Sequence, residues 1–207
     1  MAELQRPDGP EVVLASASPA RAALLRAAGV RVVVRPAAVD EDEVKAALRA
    51  AGAPVEEAVV TLAGLKAQRV ASAVAEGAVV LGADQILTCE GRWHDTPRDL
   101  GEAHEQLRAL SGRRHELTTA VVGFRGGGRI WHEIARARLW MRPCSDAFLE
   151  RYLEAVGQAA LGSVGAYHVE GLGAQLFARS DGDRFAIEGL PLLPVLEFLR
   201  VQGVLEA

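Results

Sequence analysis

Lysine is nearly missing from this chain. Of its 23 basic residues only Lys45 and Lys66 are lysine, and the other 21 are arginine. Where arginine serves almost everywhere, a retained lysine marks a place that needs a compact ammonium, which singles out Lys66. Long apolar runs are missing too, none approaching the roughly 20 residues that span a bilayer, so no membrane partner is expected. Residues 1–10 hold no apolar stretch of signal-peptide type, and a cytoplasmic location is expected. The two cysteines, Cys89 and Cys144, match no metal spacing and fit thiols of a reducing compartment better than a disulfide framework. A net charge of −4 offers no basic surface to a nucleic acid polymer. There is no Walker-type glycine loop, no dinucleotide fingerprint and no H-E-x-x-H. His94, His104, His115, His132 and His168 are scattered without metal spacing. No G-x-S-x-G appears, so nucleophilic catalysis is poorly supported.

What is present reads as a mixed α/β protein. The 207 residues, half of them hydrophobic and 24% charged, suffice for one substantial domain or for two small lobes on one core. No repeat or low-complexity linker interrupts them, and residues 1–207 are taken as a single domain. Residues 12–15 form a short buried strand that runs into Ser16-Ala17-Ser18-Pro19-Ala20-Arg21. Ser18 suits a helix N-cap, Pro19 the first helical position and Gly29 the end. Two hydroxyls, free backbone N–H groups and Arg21 therefore meet at a helix N-terminus. They either bind an anion such as phosphate or simply cap the helix. After a strand over 30–35, Asp40-Glu41-Asp42-Glu43 precedes a helix over 42–51. These carboxylates either complement the helix dipole or ligate a metal. A long helix over 54–76, closed by Gly77, carries Lys66 as either a solvated or a functional residue.

The chain is organised around Ala78-Val79-Val80-Leu81-Gly82-Ala83-Asp84-Gln85. Its apolar run has strand character, and Gly82 lets another group approach the backbone closely. Asp84, at the carboxyl end of the run, is either a turn cap or a group where α/β folds bind ligands. A second strand is expected over 85–88, a turn at Glu90-Gly91 and a helix over 99–110. Strands over 116–124 and 129–142 follow, joined at Gly126-Gly127-Gly128. The last third predicts a helix over 146–156 capped by Ser145, a strand over 175–178, a turn at 180–183 and a helix over 192–201. The expected fold is α/β, a two-lobed mixed sheet flanked by helices around a cleft.

Several segments together resemble the Maf family of nucleoside triphosphate pyrophosphatases. They are Leu14-Ala15-Ser16-Ala17-Ser18-Pro19-Ala20-Arg21, Asp40-Glu41, Lys66, Leu81-Gly82-Ala83-Asp84 and Leu110-Ser111-Gly112-Arg113-Arg114-His115. Gly165-Ala166-Tyr167, Glu170-Gly171-Leu172-Gly173 and Gly189-Leu190-Pro191 complete the set, in family order over roughly residues 12–200. The resemblance implies an inosine-triphosphatase-like fold, often dimeric, with a nucleotide in its cleft. It implies hydrolysis of a nucleoside triphosphate to a monophosphate and pyrophosphate, removing non-standard or modified nucleotides. On that resemblance Asp84 is the general base, Lys66 and Glu41 are catalytic residues with it, and Glu41 and Asp84 hold Mg²⁺ or Mn²⁺. Ser16, Ser18, Arg21 and Lys66 hold phosphates, with Arg113 as a further contributor.

Within the family three positions track the preferred base, here Ala20, Gln85 and Glu170. Gln85 and Glu170 look like the branch acting on 7-methyl-GTP, where a carboxylate suits a methylated guanine. Ala20 departs both from that branch and from the one favouring thymidine and uridine triphosphates. Two further departures bear on activity: Thr96 stands where the family commonly has a Lys before Pro97, and Gly162-Ser163 replaces an Asp-Lys pair. Arg98 or His94 is the neighbouring candidate to substitute for that Lys, although Arg is not a simple replacement for it. The departures motivate an alternative, a low-activity nucleotide-binding regulatory protein, since the family has been linked to septum formation.

Overall fold

Strand β1 (Val12–Leu14) is wholly buried and lies between β2 (Val32–Val34) and β3 (Val79–Cys89), parallel to both. A strand covered on both faces reads as a continuous apolar run, and Val-Val-Leu is one. A computed structural model of the chain describes residues 4–206. Residues 1–3 and 207 of the expected domain, with the start of the amino-terminal stretch, lie outside the described residues. Seven strands form one mixed sheet in the order β2-β1-β3-β5-β6-β7, where β5 is Arg114–Arg125, β6 Gly128–Met141 and β7 Phe177–Gly182. The seventh, β4 (Arg92–His94), forms a hairpin with the end of β3. The expected mixed α/β architecture is what the chain forms. No helix among the described residues is long and apolar enough to cross a membrane.

The chain divides into two compact units. The first comprises the chain up to Asp84, Thr119–Ala135 and everything from Gly189 on. Its helices are α1 (Pro19–Ala27), α2 (Glu41–Ala50), α3 (Val55–Ala71) and α7 (Leu192–Val201). Trp131 of β6 stacks on Phe198 of α7, ring centroids 4.6 Å apart and planes 12° from parallel. The Phe198 ring fits because Gly123 of β5 has no side chain; a Cβ there would lie 2.6 Å from its Cζ. The second unit is Gln85–Thr118 and Arg136–Glu188. Helices α4 (Leu100–Leu110), α5 (Asp146–Val156) and the short α6 (Arg184–Ile187) belong to it. Its core includes Leu107, Leu110, Leu117, Leu139, Leu149 and Leu176, each fully buried and worth about 2 kcal/mol of apolar burial. Cys89 and Cys144 are free thiols.

Helices α1, α4, α5 and α7 begin within a residue of where the sequence predicts. Ser18, Asp99 and Ser145 each accept from a backbone N–H of the first turn. Three expectations are corrected. Helix α3 closes at Ser72 rather than at Gly77: the Ser72 hydroxyl donates to the Arg69 carbonyl, and Gly126 N–H captures the Glu76 carbonyl. The two strands expected over 78–88 are one strand of 11 residues, so Asp84 lies within β3 and not at its end. The turn expected at 180–183 belongs largely to β7, whose register with β6 runs from Met141 opposite Phe177 to Ala137 opposite Gly182.

Candidate active site

Gly82 decides how closely α3 lies on β3. A Cβ at Gly82 would meet Ala63 O at 2.1 Å, Ala67 N at 2.7 Å and Ala67 Cβ at 2.8 Å. The group that approaches this backbone is therefore a helix, and it does so through its small residues. Ala63, Lys66 and Ala67 share one helical face at i, i+3 and i+4 spacing, so seating the alanines on β3 turns Lys66 inward. Its Nζ donates to Asp84 Oδ1 at 2.8 Å and lies 2.8 Å from Glu41 Oε1. Lys66 and Asp84 are buried, 6% and 5% exposed, while the Glu41 side chain is 38% exposed. A buried charge requires a counter-charge, and each of these two supplies the other's. Asp84 Oδ2 is buried and accepts from no donor among the described residues.

Helix α2 divides the acidic cluster between its two readings. Asp40 Oδ1 caps the helix by accepting from Glu43 N, and Asp42 and Glu43 complement the dipole from exposed first-turn positions. Glu41 alone is diverted to Lys66.

The hydroxyls of Ser16 and Ser18 meet Arg21 at the start of α1. Ser18 Oγ accepts from Arg21 N at 3.5 Å, and Ser16 Oγ accepts from Ser18 N at 3.2 Å. Arg21 Nη1 donates to Ser16 Oγ at 3.0 Å, and its Nε donates to the Gly189 carbonyl at 2.8 Å. Burial pulls the Arg21 guanidinium below its ordinary value, and the nearby carboxylates of Asp84 and Glu41 oppose that pull. So Ser16, Ser18, Arg21, Glu41, Lys66 and Asp84 are brought together in the first unit. Ala20 is half-buried on the first turn of α1.

The remaining predicted residues lie in the second unit. Gln85 Nε2 donates to the carbonyls of Ala186 at 2.8 Å and Ile187 at 3.3 Å. Glu170 is exposed and pairs with His168 Nδ1 at 3.4 Å; that hydrogen bond lowers the Glu170 carboxyl and raises the imidazole. Arg113 is exposed and paired with Glu90 at 2.9 Å. Thr96 is exposed. Of its two stand-ins, Arg98 is held by Glu102, its Nε donating to Oε1 at 2.8 Å. His94 is pulled below its ordinary value by burial.

Two features are not visible in the sequence. Gly189 stands out there only as part of a motif, and nothing local shows that its carbonyl faces an arginine 168 positions earlier. His115 is 1% exposed, and its Nε2 shares a 2.8 Å hydrogen bond with Tyr167 Oη. Its Nδ1 has no hydrogen-bond partner among the described residues, and burial pushes the imidazole down to about 4.

A family model described as Maf-like protein matches residues 11–202 of this chain. A nucleoside triphosphate pyrophosphatase of Granulibacter bethesdensis is 50% identical over 190 residues, covering 92% of this chain and 96% of that protein. One of Rhodospirillum rubrum is 48% identical, covering 95% and 96%. A 7-methyl-GTP pyrophosphatase of Rhizobium meliloti is 46% identical, covering 96% and 99%.

Proposed function

This chain belongs to the Maf family, and on that footing we propose that it hydrolyses nucleoside triphosphates to a monophosphate and pyrophosphate. The observation that carries the reading is Asp84: a buried carboxylate held by Lys66 through one oxygen, its other oxygen without a donor among the described residues. Such an oxygen is ready to accept a proton from water. The water oxygen bonds to the α-phosphorus, its proton passes to Asp84, and the α–β anhydride bond breaks with its electron pair leaving on pyrophosphate. Arg21, Ser16 and Ser18 bind phosphate oxygens and neutralise the charge that shields the phosphorus. Lys66 fixes the orientation of Asp84 through its bond to Oδ1.

The residues fit a divalent cation. Asp84 and Glu41 offer hard oxygens, and among the described residues no group of three or more His, Cys, Asp or Glu gathers as a closed cage. Two carboxylates with the other positions left to phosphates and water suit Mg²⁺ or Mn²⁺. Bound there, the cation would draw charge from the phosphate oxygens.

The test is pyrophosphate release from a panel of nucleoside triphosphates including 7-methyl-GTP, with Mg²⁺ or Mn²⁺, in wild type and Asp84→Asn. Release lost in Asp84→Asn supports the reading, and preference for 7-methyl-GTP would assign the base through Gln85 and Glu170. Nucleotide bound without turnover under either metal would favour the regulatory alternative that Thr96 suggests.

A further inference from the structure

The Arg21 guanidinium has three nitrogens, and the protein uses two. Nε is fixed by the Gly189 carbonyl at 2.8 Å and Nη1 by Ser16 Oγ at 3.0 Å. Nη2 has no hydrogen-bond partner among the described residues and is not among the buried unsatisfied atoms. A planar guanidinium fixed at two of its nitrogens presents the third in one orientation. Gly189 has φ +103°, a conformation L-residues rarely adopt, and a Cβ there would lie 3.3 Å from Arg21 Nε and 3.7 Å from Nη2. Any side chain at 189 would therefore strain the carbonyl that grips Arg21 and press on the guanidinium it positions. The chain just before Gly189 is itself fastened, since Gln85 Nε2 donates to the carbonyls of Ala186 and Ile187.

We propose that Gly189 is a positioning residue for phosphate binding: its carbonyl aims Arg21, and its missing side chain leaves Nη2 to a substrate phosphate oxygen. The proposal rests on the reading of Arg21 as a phosphate ligand. A double-mutant cycle separates the two. kcat and KM for pyrophosphate release are measured with the best nucleoside triphosphate of the panel for wild type, Gly189→Ala, Arg21→Ala and the double variant, with a thermal melt of each. The expected result is a loss in kcat/KM of roughly 10- to 100-fold in Gly189→Ala, as for one misplaced charge-assisted hydrogen bond, and less than about 2-fold when Arg21 is already gone. An equal loss in both backgrounds, or no loss in a folded Gly189→Ala, overturns the proposal. An Arg21→Ala variant with unchanged kcat/KM overturns instead the phosphate reading beneath it. If Gly189→Ala does not fold, Gly189→Asn, which tolerates positive φ better, replaces it in the cycle. Failure of both to fold makes Gly189 a folding residue and also overturns the proposal.

Discussion

Gly82→Ala puts one methyl group between β3 and α3, where the packing leaves no room for it. The new carbon would start 2.1 Å from Ala63 O, against the 3.4 Å at which ordinary contact begins. The obstructing atoms are helix backbone, so rotation of a side chain gives no relief, and α3 must retreat by about 1.3 Å. Its buried residues Leu62, Ala63, Ala67 and Val70 retreat with it. Overpacking of this kind costs about 1–3 kcal/mol, and a rigid obstacle places it near the top, about 3. In a chain of 207 residues that lowers Tm by roughly 6–12 °C. The same retreat opens the 2.8 Å Lys66–Asp84 bond to about 4 Å, past hydrogen-bonding reach, unless Lys66 re-extends. Thermal unfolding followed by circular dichroism, with pyrophosphate release measured well below the transition, reads both effects. Gly64→Ala is the internal control: Gly64 lies in α3 with nothing within 4 Å of its would-be Cβ, so the substitution should stabilise by about 0.5–1 kcal/mol. A Gly82→Ala protein melting within about 2 °C of wild type, with unchanged turnover, would refute the packing argument.

Three further outcomes are expected. Asp84→Asn removes the proposed proton acceptor and should abolish turnover while leaving a folded protein; retention of wild-type rates would exclude Asp84 as the base. Lys66→Met keeps the length of the side chain but strands the buried Asp84 carboxylate, so it should cost about 3–5 kcal/mol in a denaturant titration and lose turnover too. His115 governs an acid limb of stability. Its folded value near 4 lies below the ordinary 6.5, so the unfolded chain takes up the proton first. The stabilisation is therefore complete above pH 6.5 and drains away as pH falls towards 4, by about 3 kcal/mol in all. His115→Gln should reduce the difference in stability between pH 7 and pH 4 by that amount, and an unchanged difference would remove His115 from the account.

Local chemistry was legible wherever it acts within a few residues. The Ser18-Pro19 start of α1 and the Ser145 cap of α5 are satisfied by neighbouring backbone, and both helices begin where those residues say. The end of α3 was not legible, because Ala73-Val74-Ala75-Glu76 is good helix composition. A hairpin some 50 positions away claims the Glu76 carbonyl. Gly82 was read correctly as a site of close approach, yet as punctuation it split one strand into two. The glycine answers to α3, not to a break in the sheet. In the candidate site, hydroxyls and arginine at the start of α1 suggested an anion from local pattern alone. The resemblance joined Glu41 with Asp84 and set Lys66 on the phosphates; the pairing of Lys66 with both carboxylates was not legible, since no spacing in the sequence encodes the seating of a helix face on a strand.

The stack of Trp131 on Phe198 gives the protein a built-in optical gauge. Trp131 is the only one of the three tryptophans in the first unit; Trp93 and Trp140 belong to the second. With those two replaced by phenylalanine, all indole emission would come from the place where α7 rests on β6. A change in colour or lifetime would then register the lifting of that last helix by itself, separately from any loosening of the second unit's core.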